Sequence, residues 1–401
     1  MPPTKRLILL VGSSPLPNFL TCLALEPNEV ALVYTDQTQP ARDRLHQKLE
    51  EAMGQNVKFL DQGSTHIPDA TDCRRVREIV EALARQEGTD SGGGSIHLNY
   101  TGGTKVMAAH ARAAFEKAGG KPENASYLDG GQSGQPPILR RDNGTSESLM
   151  DFFGVSFDLE TLLALHGAAL TERSELDPPV TLEDEDAILR AILDDVANAG
   201  CFYDEKCKLG EMNLNQVKRR LREPDIEGII PPTVLKKLRQ AADNRNRRAV
   251  TGWIDFLGGT WLEYWLGRQI EDLALDPTPA VTVGVNAQRG PRRADLEVDV
   301  AVIRSLRTYF ISCTTDTRKG LCKSKLFEVA LRARHLGGDL ARAALVCLAD
   351  APTTEALRAD VADVWEASNT PEVFGLDDVR MWSDIGGRHP DRFRLQNWLE
   401  S

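Results

Sequence analysis

The chain has 401 residues, of which 41% are hydrophobic and 27% charged. This is ordinary globular composition with apolar mass for two or three domains, and it excludes disorder as the main state. Lys and Arg number 48 against 59 Asp and Glu, a net charge of −11, which excludes a generally basic coat for nucleic acid but leaves room for a local basic groove.

Residues 5–130 alternate strand and helix signals. Leu7 to Val11 is a short apolar run of the kind a buried parallel strand needs. It leads into the turn Gly12-Ser13-Ser14-Pro15-Leu16-Pro17-Asn18 and a short helix over Phe19 to Leu25. Val30 to Tyr34 reads as the second strand, Ala41 to Met53 as a charged helix, and Val57 to Leu60 as the third strand. Cys73 to Arg85 is an amphipathic helix with Val76, Ile79, Val80 and Leu83 on one face. Ser95 to Asn99 is the fourth strand, and an Ala-rich helix follows over Val106 to Ala118. This βαβ rhythm predicts a parallel sheet with helices on both faces, an α/β domain over residues 1–150.

The stretch Gly130 to Ser146 is rich in Gly, Gln, Pro, Asn and Ser, and is expected to loop out of that domain. Residues 151–250 read as a helical linker or insertion. One helix is expected from the acidic run Glu183 to Asp186 through Ala199, its acids suiting the helix N-terminus. The second half turns basic, from Lys218, Arg219, Arg220 and Arg222 to Arg245, Arg247 and Arg248, with two helices around Pro231-Pro232. That charge is either a solvated face or a clamp on a substrate. Residues 251–401 form a third unit. It has a helix over Thr260 to Leu273, strands at Val281 to Val285, Leu296 to Ile303 and Tyr309 to Cys313, a helix over Lys325 to Leu336, and a strand at Ala343 to Cys347.

The seven cysteines form no CxxC pair, which argues against a disulfide scaffold and a zinc ribbon and for a cytoplasmic protein with reduced thiols. No apolar run is long enough to span a membrane.

The first candidate site is the loop Thr101-Gly102-Gly103-Thr104-Lys105, between a parallel strand and a helix. Glycines there let backbone N–H groups face a phosphate, the helix N-terminus adds partial positive charge, and Lys105 adds a full one. Gly12-Ser13-Ser14 lies on the same carboxyl edge of the sheet, where open α/β sheets hold ligands. Two tight turns capped by Ser and Thr are the alternative. Neither a Walker A motif nor a dinucleotide fingerprint is present.

Asn99-Tyr100-Thr101-Gly102-Gly103-Thr104-Lys105-Val106-Met107-Ala108 resembles the signature of CARF domains, the CRISPR-associated Rossmann folds that sense cyclic oligoadenylates made by type III CRISPR complexes. The loop Gly12 to Asn18 is similar to their first ligand loop, and Tyr34-Thr35-Asp36-Gln37-Thr38 stands where a third contacting loop lies. The resemblance implies a Rossmann-like fold and a homodimer with the cyclic ligand across its two-fold axis. It implies ligand contacts at Ser13, Ser14, Asn18, Thr35, Gln37, Asn99, Thr101, Gly102, Gly103, Thr104 and Lys105.

The second candidate site draws on Glu263 in the Thr260 helix and on Glu297 and Asp299, two apart on a strand and so on one face. Helix acid, hairpin, strand acid, strand, helix is the order of PD-(D/E)xK restriction-like nucleases. The resemblance is to two-domain CARF nucleases activated by cyclic tetra-adenylate, and it implies a restriction-endonuclease-like α/β domain. Glu263 and Asp299 then match the metal carboxylates for Mg2+ or Mn2+. Where the family has Glu-x-Lys, this chain has Ser312-Cys313-Thr314. Either the lysine has moved to Lys319, Lys323 or Lys325, with Asp316 or Glu328 replacing the carboxylate, or the site is dead. Lys323 and Lys325 are the catalytic candidates. Their spacing gives about 200° of helix rotation, so one alone can face the metal. Lys323 is preferred, because Lys325 precedes the apolar Leu326 and Phe327. Arg289, Arg292 and Arg293 on one side and Lys319, Lys323 and Lys325 on the other are either a phosphate-tracking groove or solvated surface.

The expected protein is a homodimeric, cyclic tetra-adenylate-activated nuclease acting on DNA or RNA in type III CRISPR defence. A ligand-sensing regulator with a dead nuclease fold is the alternative. A third reading has the CARF domain cleave its own activator, with Thr101 or Lys105 placing a ribose 2′-OH, although no general base is evident in those loops.

Overall fold

The computed structural model describes residues 4–54, 57–60, 62–85, 95–130, 135–171, 179–289, 296–365, 370–385 and 389–401. The first half runs β1 (Thr4–Leu10), α1 (Leu16–Leu25), β2 (Glu29–Thr35), α2 (Gln39–Met53), β3 (Lys58–Phe59), α3 (Gln62–Thr65), β4 (His66–Ile67) and α4 (Cys73–Arg85). It continues with β5 (Ser95–Asn99), α5 (Lys105–Lys117), β6 (Ala125–Asp129), β7 (Ile138–Arg141) and β8 (Ser146–Ser148). The strand order is β3-β2-β1-β5-β6-β7-β8, with β4 beside β2. Pairings from β3 to β6 are parallel, and the last two are antiparallel. Chain order reverses between β1 and β5, so the loops after these two strands part at the carboxyl edge and leave a crevice there.

The stretch Gly130 to Ser146 does not simply loop out. Its second half is the β7–β8 hairpin, which pairs with β6 and extends the sheet. The turn is local chemistry. Asn143 Oδ1 accepts from Thr145 N–H at 3.0 Å, Gly144 takes φ +87°, and Arg141 pairs with Glu147 at 2.7 Å.

The second half opens with α6 (Leu159–Leu165) and β9 (Ala169–Leu170). It then runs through α7 (Leu182–Asp194), α8 (Ala197–Glu211), α9 (Leu214–Arg220), α10 (Pro232–Asp243), α11 (Arg247–Asp255) and α12 (Trp261–Glu271). Then come β10 (Ala280–Gln288), β11 (Leu296–Arg304), β12 (Arg307–Thr314), α13 (Lys319–Gly337), β13 (Ala341–Cys347), α14 (Ala351–Ala362), β14 (Glu372–Phe374), α15 (Leu376–Trp382) and α16 (Phe393–Glu400). The sheet order is β14-β13-β12-β11-β10-β9, antiparallel from β9 to β12 and parallel beyond.

The single helix expected from the acidic run to Ala199 is two. Asp195 is extended, and its carboxylate accepts from Ala197 N–H at 3.0 Å, so it ends α7 and starts α8. The basic charge of residues 205–250 is largely spent inside the helical unit. Arg220 is held by Glu205, Glu223 and Asp225, Lys218 and Arg222 by Asp243, Lys237 by Asp184, and Arg239 by Glu227.

Two cores position the sites. The helices α7 to α12 pack with one face of the second sheet through Trp253, Trp261, Trp265, Val300, Val302, Tyr309 and Ile311. The opposite face, with Ala301, Phe310 and α13, joins the first sheet in a continuous apolar cluster that includes Leu7, Leu9 and Leu20.

Candidate functional site

At the carboxyl edge of the first sheet the two glycine loops pack backbone to backbone. A Cβ on Gly102 would fall 2.0 Å from the Leu10 carbonyl oxygen, and Gly103 sits at φ +75°. Both positions therefore require glycine, and the crevice is lined by bare backbone. Thr104 caps α5, its hydroxyl accepting from Met107 N–H at 3.2 Å. Lys105 is the first residue of that helix and is exposed. Ser13 and Gln37 are exposed as well.

The other expected contact residues act from behind. Asn18 is fully buried and donates to the Leu10 carbonyl at 2.8 Å, tying α1 to the end of β1. Asn99 is fully buried too, and its Oδ1 accepts from the Thr101 hydroxyl at 2.7 Å and from Thr101 N–H at 3.2 Å. The Thr101 hydroxyl in turn accepts from Leu128 N–H at 2.6 Å. Thr35 is buried, and its N–H donates to the Thr38 hydroxyl at 2.9 Å. In this conformation Asn18, Asn99, Thr35 and Thr101 shape the loops rather than face a ligand. Ser14 is half-buried with its hydroxyl turned inward, where a Cβ on Gly338 would meet it at 3.8 Å.

In the second half a cleft of about 750 Å³ opens between α8, the α11–α12 junction, the ends of β11 and β12, and the start of α13. Its floor is made by a π-type turn over Phe256–Thr260, where Gly259 takes φ +153°. The turn sets Glu263 in the first turn of α12, and Glu263 lines the cleft together with Glu297 and Asp299. Asp299 accepts from the Ser312 hydroxyl at 2.9 Å and from Cys313 N–H at 2.6 Å. Strand alternation puts Asp299, Ser312 and Thr314 on the face that α13 covers. Cys313 sits between the charges. Burial pushes its thiol well above the usual range, Asp299 and Glu263 push the same way, and Lys325 opposes them. The thiol is therefore neutral and no nucleophile.

The two lysine candidates part company. Lys325 lines the cleft, on the side of the sheet where Thr314 stands in place of the usual lysine. Lys323 does not. It reaches away to Asp360 at 2.9 Å, a partner shared with Lys319 at 3.1 Å. The preference for Lys323 is thus corrected. Leu326 is buried as expected, but it carries Lys325 to the rim instead of drawing it into the core. Asp316 lines the cleft, bound on both oxygens by Arg318, which holds its carboxyl below the ordinary range. Glu328 pairs with Arg332 at 2.6 Å. Arg289 bonds to His335, and Arg292 and Arg293 lie outside the described residues.

Six carboxylates line the cleft against three cations, Lys206, Arg318 and Lys325. A phosphodiester entering it meets repulsion unless positive charge arrives with it. Among the described residues no group of three or more His, Cys, Asp and Glu is placed to cage a metal. Hard oxygen donors without a ready-made cage fit Mg2+ or Mn2+, which keep their waters and lean on one or two carboxylates and substrate phosphates. The wall formed by α8, with Tyr203, Asp204 and Lys206, escaped the sequence reading. The available signal was spacing, since Ala197, Gly200, Tyr203 and Asp204 recur on one helix face.

No helix among the described residues is long and apolar enough to cross a membrane. No family model matches the chain, and no curated protein matches its sequence. Solved structures do match its fold. Can2 from Sulfobacillus thermosulfidooxidans, in complex with cyclic tetra-adenylate, superposes at TM-score 0.63 and 16% identity, covering 98% of this chain and 99% of that one. Protein VC1899 from Vibrio cholerae superposes at TM-score 0.62 and 16% identity, covering 94% and 95%. The fold expected from the sequence, a Rossmann-like domain followed by a second α/β domain, is the fold these two proteins share with the chain over nearly its whole length.

Proposed function

We propose that this chain is a metal-dependent nuclease of type III CRISPR defence, activated by cyclic tetra-adenylate and acting in the cytoplasm on DNA or RNA as a homodimer. The observation that carries the reading is the meeting of Glu263, Asp299 and Lys325 in one cleft, at the other end of the molecule's helix α13 from the glycine loops. The whole-length likeness to a protein solved with cyclic tetra-adenylate supports the same ligand here.

In the sensing half, the backbone of Gly102 and Gly103, the α5 N-terminus and Lys105 offer positive potential to ligand phosphates. An isologous dimer presents this set twice, matching a cyclic tetranucleotide of two-fold character. In the cleft, Glu263 and Asp299 would hold the divalent cation, which supplies charge at the scissile phosphate when bound. Ser312 and the Cys313 N–H keep the Asp299 carboxylate oriented. Lys325 donates to the phosphate oxygens or to the attacking water, the task a strand lysine performs in the usual motif.

The path from sensor to cleft is short. The Gly338–Asp339 turn at the end of α13 abuts Ser14, and a Cβ on Gly130 would fall 2.7 Å from the Asp339 carbonyl oxygen. Helix α13 runs Lys319–Gly337, so its course from Gly337 back to Lys325 covers about 18 Å. Activation requires that the ligand bind the cutting arrangement more tightly than the resting one.

Purified protein with cyclic tetra-adenylate and Mn2+ should cut at least one of supercoiled plasmid, single-stranded DNA and RNA. If all three stay intact, the nuclease reading fails. The Ser312–Asp299 bond favours a second reading, a regulator whose nuclease fold binds without cutting, because it occupies the carboxylate from within. That reading predicts ligand-dependent binding of nucleic acid or protein that Asp299→Ala leaves unchanged.

A further inference from the structure

The cleft wall contributed by α8 carries an exposed aromatic ring. Tyr203 is 52% exposed, while its neighbours Phe202 and Leu209 turn into the core. The Lys206 ammonium lies 5.8 Å from the ring centroid, and Arg318 lines the same cleft. Those cations are themselves anchored, Lys206 to Asp255 at 3.6 Å and Arg318 to Asp316 at 2.5 Å. They edge the ring without adding a free phosphate clamp. One turn before Tyr203 stands Gly200, where an added Cβ would meet no atom within 4 Å. The helix surface leading to the ring is thus open and flat.

An exposed aromatic ring amid carboxylates gains nothing from water and repels no phosphate. A planar partner would bury it. We infer that Tyr203 is the platform on which the cleft stacks an unpaired nucleobase, and that single-stranded nucleic acid is the preferred substrate class. This inference rests on reading the cleft as one that takes nucleic acid. A base in a duplex has both faces covered by its neighbours, whereas an unpaired base offers a π-face whatever its identity. Stacking therefore selects strandedness and tolerates sequence. It also suits an acid-lined cleft, because it attracts the base rather than the backbone.

The test uses the full chain with single-stranded oligonucleotides carrying 2-aminopurine, one of DNA and one of RNA. Ca2+ replaces Mg2+ so that binding is read without turnover. Wild type should quench the fluorophore on binding, and the stronger of the two identifies the sugar preferred. Tyr203→Ala should lose the quench and weaken single-strand binding about 5- to 100-fold. Tyr203→Phe should keep both, and duplex binding should not change in either variant. In turnover with Mn2+ and cyclic tetra-adenylate, Tyr203→Ala should raise KM for single strands with kcat little altered. Wild-type binding and quench in Tyr203→Ala would overturn the inference. So would a loss in Tyr203→Phe equal to that in Tyr203→Ala, since the hydroxyl and not the ring would then be responsible. Absence of cutting by wild type, with its quench present and lost in Tyr203→Ala, would overturn the nuclease reading and leave this one standing.

Discussion

Lys325 and Lys323 are separated by two positions and by their partners. Lys323 has a carboxylate of its own in Asp360, with Lys319 beside it to keep that ion pair if it is lost. Single-turnover cleavage by Lys325→Ala should be slower by about 10²-fold or more, the cost of losing one preorganised donor. Lys323→Ala should cut near the wild-type rate, and the reverse order of effects would sink the assignment. Lys105 gives a matching prediction for sensing. A dimer offers two copies to four phosphates, and each charged contact is worth about 1.5–3 kcal/mol. Lys105→Ala should therefore weaken cyclic tetra-adenylate binding by roughly two to four decades in calorimetry, with the fold retained because the residue is exposed. Unchanged affinity would remove Lys105 from the site. At this scale the placement of residues was legible where chemistry and spacing coincide: Gly102 and Gly103 stand in a loop that needs glycine, and Glu263 and Asp299 line one cleft. It was not legible for Asn18 and Asn99, because a buried amide that shapes a loop and an exposed one that binds a ligand look alike in one dimension.

Among the elements, the strands and helices with clear period were readable, and the failures were at punctuation. The break at Asp195 hid because a capping aspartate within an acidic run looks like more of the run. The β7–β8 hairpin hid because its strands are four and three residues long, too short to show alternation, although Asn143-Gly144 is a turn signal. Helix α8 was missed as an element of its own, because its start was absorbed into the helix expected up to Ala199. A pH effect belongs to this scale as well. Glu185 on α7 faces Arg268 on α12 at 3.1 Å, yet burial outweighs that attraction and pushes its carboxyl up to about 8. An acid whose folded pKa is raised releases its proton more easily when unfolded. Its protonated form stabilises the fold fully at low pH, and that contribution is lost as pH rises from about 4.5 toward 8. Glu185→Gln should therefore gain Tm relative to wild type at pH 8 and little at pH 5, by calorimetry. An equal shift at both pH values would mean that the carboxyl does not titrate in this range.

For the whole molecule, the contact between Gly130 and Asp339 makes a specific claim on activation. Gly130→Ala forces the chain after the first sheet and the α13 turn apart by at least about 0.3 Å, since the added Cβ would fall 2.7 Å from the Asp339 carbonyl oxygen and real Cβ contacts do not fall below 3.0 Å. Cyclic tetra-adenylate should still bind, while its stimulation of cutting falls at least several-fold. Calorimetry and cleavage on the same sample check both halves. Full stimulation in a folded variant would show that the signal travels elsewhere.

The apolar cluster that runs from Leu7 and Leu9 to Phe310 and Leu336 has a consequence for recombination. Two halves that merely touch can be recombined freely, each keeping its own melting behaviour. Here the faces of α13 and the first sheet complete one another, so residues 1–150 expressed alone should expose apolar surface and aggregate, and the intact chain should melt in one calorimetric transition. Two resolved transitions would contradict this. A foreign first half joined to this second half would have to bring a surface complementary to Val329, Ala333 and Leu336. The two halves of this chain are therefore expected to be exchangeable only together with the surface that joins them.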